Sequence, residues 1–99
     1  MPAVPVSATI DGEAQIATVT FDHPLYVGAV DETRWKVRTA SWTRNASHVG
    51  NAGTVATVTM SGTSGPGGSP RVQYLGGDGG FKGENGLAIA AFIQAADMV

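Results

Sequence analysis

The chain reads as an all-β domain, and three observations predict it. Threonine and valine are frequent while leucine occurs only at Leu25, Leu75 and Leu87. Fourteen glycines and five prolines punctuate the chain, leaving little room for long helices. Several short segments alternate apolar and polar residues, the period of a half-buried strand. β-Branched side chains are stiff at χ1 and pack well on a pleated surface, so composition and periodicity agree. With 42% apolar and 14% charged residues, the chain is rich enough in apolar side chains to fold. Residues 1–99 are expected to form one domain, with 1–6 as an extended arm or edge strand. The architecture expected is a β-sandwich of about seven short antiparallel strands, with turn signals at intervals near ten residues.

Taken in order, Pro2 and Pro5 forbid a helix and suit an extended lead-in. Val4 to Ile10 is the first strand, ended by Asp11-Gly12. From Gln15 to Phe21, Ala17, Val19 and Phe21 alternate with Thr18 and Thr20. Ile16 breaks the parity, so a bulge or twist is expected there. Asp22-His23-Pro24 ends that strand. Leu25 to Val30 reads as a corner with a brief strand or turn, and Asp31-Glu32-Thr33 begins one helical turn. Arg34 to Thr43 is a second strand region, with Trp35 and Val37 opposite Arg34, Lys36 and Arg38. Trp42 is on the other parity, so a turn or bulge belongs near Ala40-Ser41. Asn45 to Gly53 reads as a polar loop, Thr54 to Met60 as a strand, and Ser61 to Pro70 as a loop by composition. Val72 and Tyr74 mark the next strand. The run from Leu87 to Ala96 is alanine-rich enough for a helix, but a strand is preferred, with Leu87, Ile89 and Ile93 on one face and Phe92 on the other.

Composition sets limits on function. A net charge of −2 is not that of a nucleic-acid binder, and the absence of cysteine removes disulfides and thiolate metal sites. Met1 to Val6 has no basic start, apolar core or cleavage pattern, so it is not a secretory signal. The longest apolar run is roughly a third of the ~20 residues a membrane helix needs, so no membrane partner is expected. The chain starts at methionine and stops soon after its last apolar segment, so a complete small protein is expected.

One resemblance emerges from these pieces. Ala17-Thr-Val-Thr-Phe-Asp-His-Pro-Leu25 resembles the L-T-F-D-E-P-L strand and corner of bacterial Ig-like repeats of the SwmB type. Val72-Gln-Tyr74 is similar to that family's V-x-Y strand, and Gly86, Ile89 and Phe92 fall at the spacing of its closing G-N-x-V-x-x-F. These are β-sandwich modules of surface, adhesive and phage-structural proteins, so the resemblance implies an Ig-like sandwich. Gly83 and Leu87 stand where the family keeps Asp and Asn, so any turn bracing or ion ligation by those side chains is missing.

Candidate sites are few. His23 beside Asp22 has the makings of a general base, yet no serine, cysteine or second acid is spaced as its partner; a turn histidine is the simpler reading, as for His48. Asp78 and Glu84 flank a glycine-rich turn, but GGDGGFKGENG lacks the calcium-loop pattern and the order of a phosphate loop. Asn45-Ala-Ser47 matches the glycosylation triplet by chance. No catalytic residue, cofactor or metal is expected. Four of the six basic residues (Arg34, Lys36, Arg38 and Arg44) lie in one stretch with Trp35 and Trp42, a stripe suited to a partner or to a strand with solvated charges. Trp35 is assigned to the core and Trp42 to partner contact. From Asn45 to Pro70 there is no charge, and Leu87 to Ala96 is uncharged and apolar on both strand faces. That spare face implies cover by another chain or by the N-terminal arm; the plain alternative is a solvent face of Thr, Ser and Gln.

These features predict a non-enzymatic Ig-like subunit of a larger assembly, made in the cytoplasm and carried on a phage virion as a capsid decoration or cement protein, or a tail, baseplate or fibre component. Its partners would be other protein subunits, met through Arg34, Lys36, Arg38, Trp42, Arg44, Leu87, Ile89 and Ile93, with the loops Ser61–Pro70 and Gly76–Gly86 conforming to them. The alternative is a cell-surface module that binds a host glycan or protein.

Overall fold

A computed structural model describes residues 2–11, 13–61, 68–77 and 80–98. Within them are eight strands: β1 Pro5–Asp11, β2 Ile16–Phe21, β3 Trp35–Arg38, β4 Thr43–Ala52, β5 Val55–Met60, β6 Arg71–Tyr74, β7 Phe92–Ala95 and β8 Asp97–Met98. They make one sheet in the order β7-β6-β3-β4-β5-β2-β1-β8. Neighbours are antiparallel except β1 and β8, which run parallel. The all-β class stands, but the sheet is mixed and has one strand more than expected. Its two ends, β7 and β8, are separated by Ala96 alone. The sheet therefore curls round until it is nearly closed into a barrel.

Three strands form as their alternation predicts. Ala17, Val19 and Phe21 of β2, Ala56, Val58 and Met60 of β5, and Val72 and Tyr74 of β6 are all buried, with half-buried polar residues between them. The helical turn expected after Asp31 is a 3₁₀ turn, Glu32–Arg34, capped by Asp31 through the Thr33 N–H. The parity change before Trp42 is the β3–β4 turn. There Thr39 N–H donates to Trp42 O (2.8 Å) and Thr39 Oγ1 accepts from the Ser41 and Trp42 N–H groups.

Three expectations are corrected and one alternative is decided. The parity break at Ile16 is no bulge: β2 pairs in unbroken register with β1 and β5 there, and Ile16 simply points outward, 37% exposed. The polar loop expected at Asn45–Gly53 belongs mostly to the longest strand, β4. A bulge between Ala46 and His48 shifts its inward parity from Ala46 to Val49, which erases the alternation. The same bulge lets the first part of β4 pair with β3 and the rest with β5, turning the corner of the barrel. Of the brief strand or turn expected at Leu25–Val30, the turn alternative stands, with a single bridge from Leu25 to Gly83. Finally, within Leu87–Ala96 only Phe92–Ala95 is strand, so Leu87, Ile89 and Ile93 do not share a face. Ile89 is buried (4%), whereas Leu87 and Ile93 are 44% and 59% exposed.

The interior is organised around aromatic rings. Phe21, Trp35, Tyr74, Phe81 and Phe92 lie with centroids 4.8–5.7 Å apart, mostly tilted or edge-on, the arrangement ring quadrupoles favour. Phe81 comes from the glycine-rich segment between β6 and β7 and is fully buried. The glycines bring the backbone close enough for this. Gly80 has φ +87° and packs against the Ala29 carbonyl, where a Cβ would collide with backbone. Within Gly76–Gly86, Gly76, Phe81 and Gly83 are buried on their own chain, while Gly77 and Glu84 to Gly86 are exposed. Of the loop Ser61–Pro70, residues 62–67 lie outside the described residues.

Candidate functional site

Three of the eight expected site residues, Lys36, Arg38 and Ile93, share the outer face of β3, β6 and β7. In β3 and β6 the inward residues Trp35, Val37, Val72 and Tyr74 alternate with outward Lys36, Arg38, Arg71 and Gln73. Register sets them in two rows across the sheet. One runs Thr43, Arg38, Arg71, Ala95, and the other Asn45, Lys36, Gln73, Ile93. Arg71 was not among the expected site residues; it joins the stripe only because β6 pairs with β3.

The three cations are held by neutral acceptors. Lys36 Nζ donates to Asn45 Oδ1 (3.0 Å), Arg38 Nη1 to Gln73 Oε1 (2.8 Å) and Arg71 Nη1 to Ser69 O (2.9 Å). None meets a described carboxylate at ion-pairing distance; Asp22–His23 and Asp31–Arg34 pair elsewhere. Ile93 stands across Gln73 from Lys36, between two open hollows. One, of about 400 Å³, is lined by Gln73, Tyr74, Leu75, Ala91, Phe92 and Ile93. The other, of about 370 Å³, is lined by Ser69, Pro70, Arg71, Ile93 and Ala95. Leu75, at the end of β6, is 44% exposed.

The remaining candidates lie apart. Arg34 is on the 3₁₀ turn, 3.6 Å from Asp31 Oδ2 and donating to Gly76 O (3.4 Å), where it ties that turn to the loop after β6. Trp35 is buried as expected. Trp42 is half-buried against the core, with the Arg44 guanidinium 5.7 Å from its ring centroid. Leu87 sits in the turn after Gly83. The bracing that Gly83 and Leu87 cannot provide through side chains comes from the backbone and Asn85: Gly83 N–H donates to Leu87 O (3.0 Å), and Asn85 Oδ1 accepts from Leu87 N–H (3.1 Å).

Asp22 and His23 are in contact, Nδ1 to Oδ1 at 2.7 Å, on an exposed corner. The same Oδ1 also accepts the Val4 N–H (2.9 Å), and Asp22 N–H donates back to Val4 O (3.1 Å). These bonds, the Val4 one foremost, hold the Asp22 carboxyl below the ordinary carboxylate range. The pair clamps the N-terminal arm to the β2 corner. His48 is exposed at the β4 bulge. Glu84 is an exposed turn residue whose N–H donates to Pro24 O (3.0 Å), and Asp78 lies outside the described residues. Among the described residues no cluster of His, Asp and Glu is arranged to hold a metal, and no helix is long and apolar enough to cross a membrane. No known protein family, curated protein or solved structure matches the chain.

Proposed function

We propose that the chain is a non-enzymatic structural or accessory subunit of a larger assembly, built on an Ig-like frame and docking through the outer face of β3, β6 and β7. The strand order supports the frame. β1, β2, β5 and β4 neighbour one another as strands A, B, E and D do in Ig domains, and β3, β6 and β7 as C, F and G. The proposed setting is a virion, as a capsid decoration or cement protein or a tail, baseplate or fibre component, on the strength of the SwmB-type motifs around Phe21, Tyr74 and Phe92.

The observation that carries the docking role is Ile93. It is a large apolar side chain, 59% exposed, in the middle of a strand, one strand over from Arg71 and two from Lys36 and Arg38, cations that no described carboxylate neutralises. Among the described residues no segment, the N-terminal arm included, covers it. Single exposed apolar residues are common, but one set between two hollows and next to a row of two arginines has the composition of an interface centre and rim. Recognition of a host glycan or receptor takes second place, because Trp42 packs against the core beneath Arg44 instead of standing free to stack on a sugar.

A photo-crosslinking residue at position 93, with a control at Thr57 on the opposite side of the sheet order, tests this. Discrete cross-linked species are expected from position 93 alone, either between copies of the chain or to one partner of the assembly. Equal labelling from both positions, or none from 93, sinks the docking role.

A further inference from the structure

We infer that the β3–β6–β7 face receives an acidic, extended segment of a partner protein, with carboxylates on Lys36, Arg38 and Arg71 and an apolar side chain beside Ile93. The inference rests on the docking role proposed above and names its occupant.

Charge is the first argument. The chain carries a net −2, yet this face concentrates three positive side chains and no described acid pairs with them. Their partners, Asn45, Gln73 and the Ser69 carbonyl, orient them without neutralising them. A carboxylate arriving there replaces water around cations already positioned, so little side-chain entropy remains to be lost.

Spacing is the second. Lys36 and Arg38 are two residues apart on one strand, roughly 7 Å, which is also the repeat of same-side residues in an extended peptide. Arg71 lies across from Arg38, broadening one end of the row. The two hollows flank Ile93 along β7, two strands from Lys36, so an apolar side chain further along the segment, on the same side as the acids, finds a place beside it.

The third argument separates a protein segment from a single-stranded nucleic acid. Single-stranded nucleic acids are held largely by aromatic platforms. Here Trp35, Tyr74 and Phe92 all turn into the core, and the outward positions of the three strands are Lys36, Arg38, Arg71, Gln73, Ile93 and Ala95. The face offers charge and aliphatic contact, without stacking.

The test is fluorescence anisotropy with the full chain and a labelled Asp-Leu peptide, Asp-Ser-Asp-Ser-Leu-Ser-Leu, whose Asp and Leu side chains share one side when extended. Matched probes are the same peptide with Asn for Asp, a single-stranded oligonucleotide and a heparin oligosaccharide. The Asp-Leu peptide is expected to bind, and to lose affinity by about tenfold or more in the R38E/R71E double variant. Ile93→Ser should weaken it several-fold, and added salt should weaken it steadily. Far-UV circular dichroism and melting confirm that each variant folds, since all three side chains point outward. Tighter binding of heparin or DNA than of the peptide overturns the inference, as does peptide affinity unchanged by charge reversal or no binding at millimolar peptide. Because this assay needs no assembly, peptide binding by a chain that cross-links to nothing at position 93 would refute the assembly role and leave the acidic-segment site standing.

Discussion

The ring of Phe81 lies 4.8 Å from Trp35, 5.0 Å from Tyr74 and 5.5 Å from Phe21, centroid to centroid, although its backbone is in a glycine-rich loop. Removing it empties the middle of the aromatic cluster, and the rigid strands around it are poorly placed to collapse into the space. Phe81→Ala is therefore expected to cost about 3–5 kcal/mol, a large share of a small domain's stability, while Phe81→Leu should cost far less. Urea melts of the two variants check this. A loss near 1 kcal/mol for the alanine variant would mean that Phe81 is a loop residue and not a core one. Asp22 makes a different prediction at the same scale. Its folded carboxyl titrates below the ordinary value because of the Val4 N–H and then His23, and Asp31 does the same because of Thr33. A depressed folded value means the stabilisation is fully present above the unfolded value and is lost as pH falls through the folded one. Asp22→Ala should therefore lower the melting midpoint at neutral pH and converge with the parent in acid. A difference that persists unchanged below pH 3 would show that the clamp is not ionic.

Among the elements, those legible in the sequence are the ones whose alternation survives intact. β2, β5 and β6 have clean inward and outward sets, and the 3₁₀ turn has its Asp31 cap. β4 was hidden for two reasons: its bulge reverses parity halfway, and its inward residues Ala46 and Val49 are small among Thr, Asn and Ser. The charge-free stretch from Asn45 follows from the same geometry. Its outward residues include Thr57 and Thr59, and Thr57 pairs beside Thr18, which pairs beside Thr9, giving a threonine row that water can solvate. That is the plain reading of the missing charges, and it shifts weight from β4 and β5 to β7 as the proposed docking element. The stripe itself was half legible. Lys36 and Arg38 share a face as strand parity requires, but Arg71 reached them only through the β3–β6 pairing, which no local pattern announces. Ile89 and Ile93 were grouped by a strand that begins only at Phe92, and the run of alanines before it gave no signal of where extension starts. Phe81 had one cue, a lone aromatic inside GGDGGFKG, where a solvated turn has no use for one.

At the scale of the whole molecule, the ends of the fold depend on each other. β8 joins β1 in parallel through Thr9 and Asp97, and Ile10 and Met98, while β7 completes the other end against β6. One short segment, Phe92 to Met98, therefore holds both margins of the sheet, and Ala96 N–H donates to Pro70 O (2.9 Å) at the switch between them. The first strand cannot be closed off until the last has been placed, so loop-closure entropy is spent over nearly the full length of the chain before the seam forms. Ending the chain at Ala95 should leave β7 paired to β6 but expose the outer edge of β1, with Val6 already 55% exposed along it. An uncovered edge of this kind pairs with other chains. The truncated protein is expected to melt at lower urea and to form concentration-dependent oligomers, both reversed by adding back residues 96–99. Hydrogen exchange locates the effect: protection should fall first at Thr9 and Ile10 and remain in β5 and β6. If exchange instead rises uniformly through the core, closure is inseparable from folding itself, and the seam is the last step of a single cooperative transition.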